Sequence, residues 1–185
     1  MPITFSKEDH LVHLLDLGSY LLVVCPTIDR VLSNVLIDGG SNLNIIFTDA
    51  LKCMDFNFER LLPCEDPFYG IVSGEGFYPI GRVVLPVMFG TPDNYRTEHI
   101  TFEVANLRTS YHAIIGRPML LRFMVIPNHT YLILKMPAPN GVLSVYGDVE
   151  MSYKCDTEAV QLAKTLEYLA KATMMLVESK KVDQN

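Results

Sequence analysis

The sequence predicts an all-β domain, a sandwich or a barrel, and three observations carry that prediction. Short runs rich in Val, Ile, Leu and Phe recur from Tyr20 to Val145, at a length that suits strands. Clusters of Gly, Pro, Asn and Asp separate them, such as Gly90-Thr91-Pro92-Asp93-Asn94 and Pro137 to Gly141, and these residues punctuate turns. No helical pattern alternates with the runs, so the chain does not read as a series of βαβ units.

Taken in order, the expected strands are Leu21–Cys25, Arg30–Ile37, Phe77–Ile80, Arg82–Phe89, His99–Val104, Ala113–Ile115, Phe123–Ile126, Tyr131–Met136 and Val142–Val145. Two stretches read as helix. Thr48 to Met54 follows the Asn44–Phe47 run and suits a short helix. In the tail, Asp156 is an N-cap candidate, and Leu162, Leu166, Leu169, Thr173 and Leu176 recur at alternating spacings of four and three, one face of a helix. Glu167 and Lys171 add a pair one turn apart in the favourable order. Residues 1–17 mix charge, His and Leu and read as a loosely packed leader segment. The expected organisation is therefore a leader over 1–17, a β domain over 18–150, and a helical extension or linker over 151–185.

Composition excludes several classes of function. The 185 residues carry a net charge of −6, which argues against direct nucleic-acid binding, since neutralising phosphates needs a basic excess. With 49% hydrophobic and 19% charged residues, the chain has enough apolar material for a sizeable core and does not read as disordered. The longest apolar stretches, such as Tyr20 to Pro26, fall far short of the ~20 residues of a spanning helix, so no membrane association is expected. The first ten residues lack a basic segment followed by an apolar run, so no secretory signal is expected. Cys25, Cys53, Cys64 and Cys155 form no Cys-x-x-Cys pair. They read as reduced thiols in an intracellular, cytoplasmic chain, in which the sequon at Asn128 stays unused.

Most motifs fail on their own terms. Gly74-Glu75-Gly76-Phe77-Tyr78-Pro79 starts like a dinucleotide fingerprint, but Pro79 stands where the third glycine belongs, and a glycine-tipped hairpin is the better reading. Asp9, His10, His13 and Asp16 are ligand-type residues without a second cluster, so neither a metal nor a cofactor is expected. Cys64 and His112 lack a local signature of an activated nucleophile. The exception is Val35-Leu36-Ile37-Asp38-Gly39-Gly40-Ser41, which sets a carboxylate on a tight loop at the end of an apolar strand. Read alone, Asp-Gly after a strand is a hairpin turn. Two later features raise its interest: the glycine-rich Gly70-Ile71-Val72-Ser73-Gly74-Glu75-Gly76, and Ala113-Ile114-Ile115-Gly116-Arg117-Pro118.

This order, an Asp-x-Gly-Ser loop, a flap hairpin and then Ile-Ile-Gly-Arg, resembles the single-lobe aspartic proteases known as retropepsins. The stretch from about Tyr20 to Asp148 is similar to the protease region of plant gypsy-class LTR retrotransposon gag-pol polyproteins. The phrases that carry the likeness are Val35 to Phe47, Pro79 to Thr91, Tyr111 to Leu120 and Leu134 to Asp148. The resemblance implies an all-β, single-lobe acid-protease barrel with a short helix and a C-terminal helix. It implies Asp38 as the catalytic aspartate and Gly39, Gly40 and Ser41 as its loop. It further implies a flap at Gly70, Ile71, Val72, Ser73, Gly74, Glu75 and Gly76, and a supporting loop at Ile114, Ile115, Gly116 and Arg117.

The implied activity is that of an aspartic endopeptidase acting on peptide or polyprotein segments, including within virus-like particles. The chain has one Asp-x-Gly-Ser loop, so a pair of catalytic carboxylates requires a homodimer. Gly39 departs from the family, which more often has Thr or Ser there, and Asn42 stands where many members have Asp. A catalytically degenerate retropepsin-fold module, kept for dimerisation or peptide binding, is the alternative. An unrelated β-barrel ligand binder, with Asp38 in a plain turn, is the third reading.

Overall fold

The computed structural model describes residues 2–10, 20–32, 34–64, 78–158 and 160–161. Among them the strands run in chain order β1 Val23–Val24, β2 Thr27–Ile28, β3 Arg30–Val31, β4 Val35–Ile37, β5 Ile45–Phe47, β6 Gly81–Thr91, β7 Asn94–Ala105, β8 Ala113–Ile115, β9 Ile126–Asn128, β10 Ile133–Ala138 and β11 Gly141–Tyr146. Helix α1 covers Thr48–Cys53 and α2 covers Arg117–Phe123; a third helix, α3, starts at residue 149. Eight strands form one curled sheet in the order β1-β4-β8-β5-β7-β6-β2-β3, and β11-β10-β9 form a second. The expectation of an all-β fold with a short helix holds. None of the described helices is long and apolar enough to cross a membrane.

The long β6–β7 hairpin contributes seven residues to the main core. Gly81 pairs with Val104 at one end and Thr91 with Asn94 at the other. Alternation along the strands turns Val83, Leu85, Val87 and Phe89 inward with Ile100, Phe102 and Val104. Gly90 closes the hairpin at φ +112°, where a Cβ would stand 2.2 Å from the Asn94 carbonyl oxygen. Only glycine fits there without strain.

β4 and β8 run parallel, with Val35, Leu36 and Ile37 opposite Ala113, Ile114 and Ile115. β1 and β5 flank that pair in antiparallel fashion. Val35, Ile37, Ala113 and Ile115 are buried, so the register is fixed by the core, since a slip of one residue would expose every one of them. The consequence is that Asp38 and Gly116, the residues after the two strands, emerge next to each other.

Arg96 ties the second sheet to the first. Its guanidinium donates to the carbonyl oxygens of Phe123, Pro137 and Arg122 and pairs with Glu98 at 2.8 Å, which joins β7, α2 and β10. On the other side α3 covers a second cluster of Val23, Ile45, Phe47, Ala105, Tyr111 and Cys155. Ser152 Oγ donates to the Leu21 carbonyl at 2.7 Å. Burial pushes the Tyr111 hydroxyl up to about 12.

Four expectations differ from the structure. The run Arg30–Ile37 is not one strand: Asn34 takes φ 59°, β3 turns back onto β2, and β4 begins after the break. Asn tolerates the left-handed region better than most residues, and its Nδ2 is held by the Ser110 carbonyl. Of the run Phe123–Ile126 only Ile126 is in a strand, at the start of β9, because Phe123 ends α2 and Met124 closes it at φ 51°. Pro118 sits in the first turn of α2, where a missing N–H costs nothing, and Met119, Leu120 and Phe123 bury one face. Of the expected strand Phe77–Ile80, residues 78–80 are described and lie outside any strand. The tail helix starts before Asp156, with Asp148 Oδ1 accepting from the Met151 N–H at 2.9 Å as its cap. Leu162, Leu166, Leu169, Thr173 and Leu176 lie outside the described residues.

Residues 2–10 meet β10 at Lys135. Its Nζ donates to the Thr4 carbonyl at 2.8 Å, pairs with Asp9 Oδ1 at 2.6 Å, and stands 5.1 Å from the Phe5 ring centre. The hydrogen bond from Lys135 holds the Asp9 carboxyl below its ordinary value of 3.8. A carboxyl depressed by folding favours the docked state above its unfolded value, and that contribution is lost as pH falls through the folded value. Backbone amide NMR signals of Glu8 to His10 are therefore expected to stay in place from pH 7 to pH ~4 and to shift to released positions below it. Asp9→Asn is expected to show the released pattern at every pH; unchanged signals in the variant would contradict the role given to this pair.

Candidate active site

The chain leaves β4 into a loop whose geometry is set by its own backbone. The Asp38 N–H donates to the Ile115 carbonyl at 2.9 Å, which extends the parallel pairing by one bond. The Ser41 N–H returns to the Asp38 carbonyl at 3.1 Å. Asp38 Oδ1 accepts the Gly40 N–H at 2.9 Å, an Asx-type closure that fixes the carboxylate relative to the loop. Asp38, Gly39 and Gly40 are exposed. Asp38 forms no ion pair among the described residues.

Behind this loop stands Gly116. A Cβ there would lie 2.2 Å from the Leu43 carbonyl oxygen and 2.7 Å from that of Ser41, closer than any real Cβ approaches. Two chain segments are thus in backbone contact. The Arg117 N–H donates to the Ser41 carbonyl at 2.9 Å, while Ser41 Oγ donates to the Leu43 carbonyl at 2.9 Å and accepts the Leu43 N–H. The supporting role of Arg117 runs through its backbone; its exposed side chain has no ion-pair partner among the described residues.

Asn44, a residue that motif reading passed over, is the clamp of the site. It is buried, its Oδ1 accepts the Gly116 N–H at 3.0 Å, and its Nδ2 donates to the Thr101 carbonyl at 3.1 Å. Its own carbonyl accepts the Glu103 N–H at 2.9 Å. The signal was present in the sequence as one amide side chain heading the apolar run Asn44-Ile45-Ile46-Phe47. A buried amide has to find partners, and here it links the Asp38 loop, β7 and the start of α2.

The structure brings Asp38, Gly39, Gly40 and Ser41 together with Ile114, Ile115, Gly116 and Arg117. The flap residues Gly70 to Gly76 lie outside the described residues. Gly39 has nothing within 4 Å of a built Cβ, and neither Gly39 nor Gly40 takes a positive φ. No group of three or more metal-ligand side chains occurs among the described residues.

No protein-family model and no curated protein matches the sequence. Among solved structures, the chain is similar to the retroviral protease-like domain of Ddi1 from Leishmania major, with a TM-score of 0.49. The match has 20% sequence identity and covers 69% of this chain and 92% of that one.

The contact at Gly116 makes a strong prediction. Gly116→Ala is expected to destabilise the fold by about 3 kcal/mol, because a methyl forced against two carbonyl oxygens must displace backbone. Urea denaturation measures this; a loss below ~0.5 kcal/mol would mean that the two segments separate freely.

Proposed function

We propose that this chain is a retropepsin-like aspartic endopeptidase domain of a retrotransposon polyprotein, with Asp38 as its catalytic residue. The observation that carries the reading is the Asp38 loop itself. An exposed carboxylate, oriented by a neighbouring backbone N–H, stands at the end of a parallel strand pair whose second member ends in a glycine packed against the loop. A plain hairpin turn needs neither the parallel partner nor the close glycine.

In this reading two protomers bring their Asp38 carboxylates together. Two carboxyl groups about 3 Å apart do not both ionise and share one proton. The ionised member removes a proton from a water while the protonated member donates to the scissile carbonyl oxygen. The water attacks the carbonyl carbon, and collapse of the tetrahedral adduct releases the amine after proton transfer. The glycine-rich segment Gly70 to Gly76 is the proposed cover of an extended peptide substrate.

Asp38→Asn is expected to abolish cleavage of an unfolded protein at mildly acidic pH, with the denaturation midpoint nearly unchanged, since the change is isosteric at an exposed position. A variant that still cleaves would remove Asp38 from the mechanism.

A second reading, a degenerate module kept for dimerisation or peptide binding, is favoured by Gly39, which brings no hydroxyl to a partner loop. A Thr there has open space and an acceptable backbone. Two hydroxyl hydrogen bonds per dimer, at ~1 kcal/mol each, correspond to roughly a 30-fold change in dissociation constant. Gly39→Thr is therefore expected to tighten the dimer about 30-fold by sedimentation equilibrium and to raise cleavage at low protein concentration. A tighter dimer that still cleaves nothing would favour the degenerate module.

A further inference from the structure

Next to the Asp38 loop lies an open groove of about 440 Å³. Leu43 and Asn44, directly after the loop, line it together with residues of β7, Arg82 of β6 and Arg122 of α2. On β7 the groove is lined by His99, Ile100, Thr101 and Glu103, of which Ile100 is itself buried, while Phe102 lies in the core.

Glu103 has an unmet hydrogen-bonding need. Its side chain is 9% exposed, and Oε1 accepts from Arg82 Nε at 2.8 Å. Oε2 is buried and has no partner among the described residues. A buried carboxylate oxygen without a donor is costly, and an incoming N–H relieves it. The other end of the groove has the opposite character. The Arg122 side chain is 64% exposed and, among the described residues, only its Nε is engaged, by Glu98 at 3.1 Å; His99 is exposed beside it. Both offer N–H donors to an anion. His99 and Glu103 are four positions apart on one strand, about 13 Å at ~3.3 Å per residue, which is the reach of about four residues of an extended peptide.

We propose that this groove binds an extended acidic peptide segment. A backbone N–H of the peptide meets Glu103 Oε2, and a carboxylate side chain about four residues away meets Arg122 and His99. Because Leu43 and Asn44, which line the groove, directly follow the Asp38 loop, the segment is the part of a substrate remote from the scissile bond; this identity rests on the peptidase reading, whereas the binding does not.

The test uses the full chain carrying Asp38→Asn, so that binding is read without hydrolysis. The probe is the capped peptide acetyl-Glu-Ala-Val-Ala-Glu-amide, acidic at both ends so that either chain direction is served, with its Gln-for-Glu counterpart as control. NMR titration is expected to move the amide signals of Leu43, Thr101 and Glu103. The Gln peptide is expected to bind at least tenfold more weakly, and Arg122→Gln to weaken the acidic peptide at least fivefold. Arg122 is exposed, so that variant is expected to fold; Glu103→Gln, which keeps the shape but changes the acceptor, is expected to weaken both peptides. Equal binding of the two peptides, or shifts confined to other parts of the chain, would overturn the proposal. Acidic-peptide binding at these residues without cleavage by the unsubstituted chain would support the groove and remove only the peptidase reading. Cleavage without groove shifts would remove only the groove.

Discussion

The backbone contact between Gly116 and the Leu43 and Ser41 carbonyls is the constraint on which the rest of the site depends. Two segments more than 70 residues apart in sequence approach so closely that no side chain fits between them. That approach requires β4 and β8 to be parallel and in register, because both must end at the same level of the sheet. It also fixes where α2 starts, since Gly116 is its N-cap and the next N–H is already used by Ser41. The Asp38 loop inherits its position from these conditions. An exposed aspartate followed by two exposed glycines could otherwise occupy many conformations.

Polar groups inside the molecule work as connectors between elements. Asn44 joins three segments, Arg96 joins two sheets and a helix, and Lys135 joins the second sheet to residues 2–10. Each is a long or amide side chain whose donors are largely satisfied by carbonyl oxygens. Such groups add less net stability than apolar packing of the same volume, but they specify which segment lies where. The hydrophobic cluster along β6 and β7 supplies the driving force and the connectors select the arrangement. Glu103 departs from this pattern, with one oxygen paired and one not, and for that reason it stands out as a place for a ligand.

The chemistry available to Asp38 follows from what surrounds it. No cation pairs with it among the described residues, and only the Gly40 N–H engages its carboxylate. One carboxylate on one loop can accept a proton or a hydrogen bond; it cannot divide the roles of acid and base with itself. The peptidase reading therefore depends on association between chains, and in that reading Gly39 brings no hydroxyl to the partner's loop.

Periodicity and turn residues are local signals, and they disclosed the strand-rich class, the runs Arg82–Phe89 and His99–Val104 and the short helix at Thr48. The sequence also singled out Asp38 and Gly116 as residues that belong together, through their family-like phrases. What it did not disclose depended on distant partners. The break at Asn34, the helix from Arg117 to Phe123 and the early start of α3 at its Asp148 cap each replace a locally plausible pattern. In each case a carbonyl or core surface far along the chain made the alternative more favourable. Asn44 shows the limit most clearly: one amide in an apolar run has no local meaning. That its oxygen holds Gly116 and its nitrogen holds Thr101 follows from the folded arrangement, because a buried polar group takes its role from whatever the fold brings within hydrogen-bond reach.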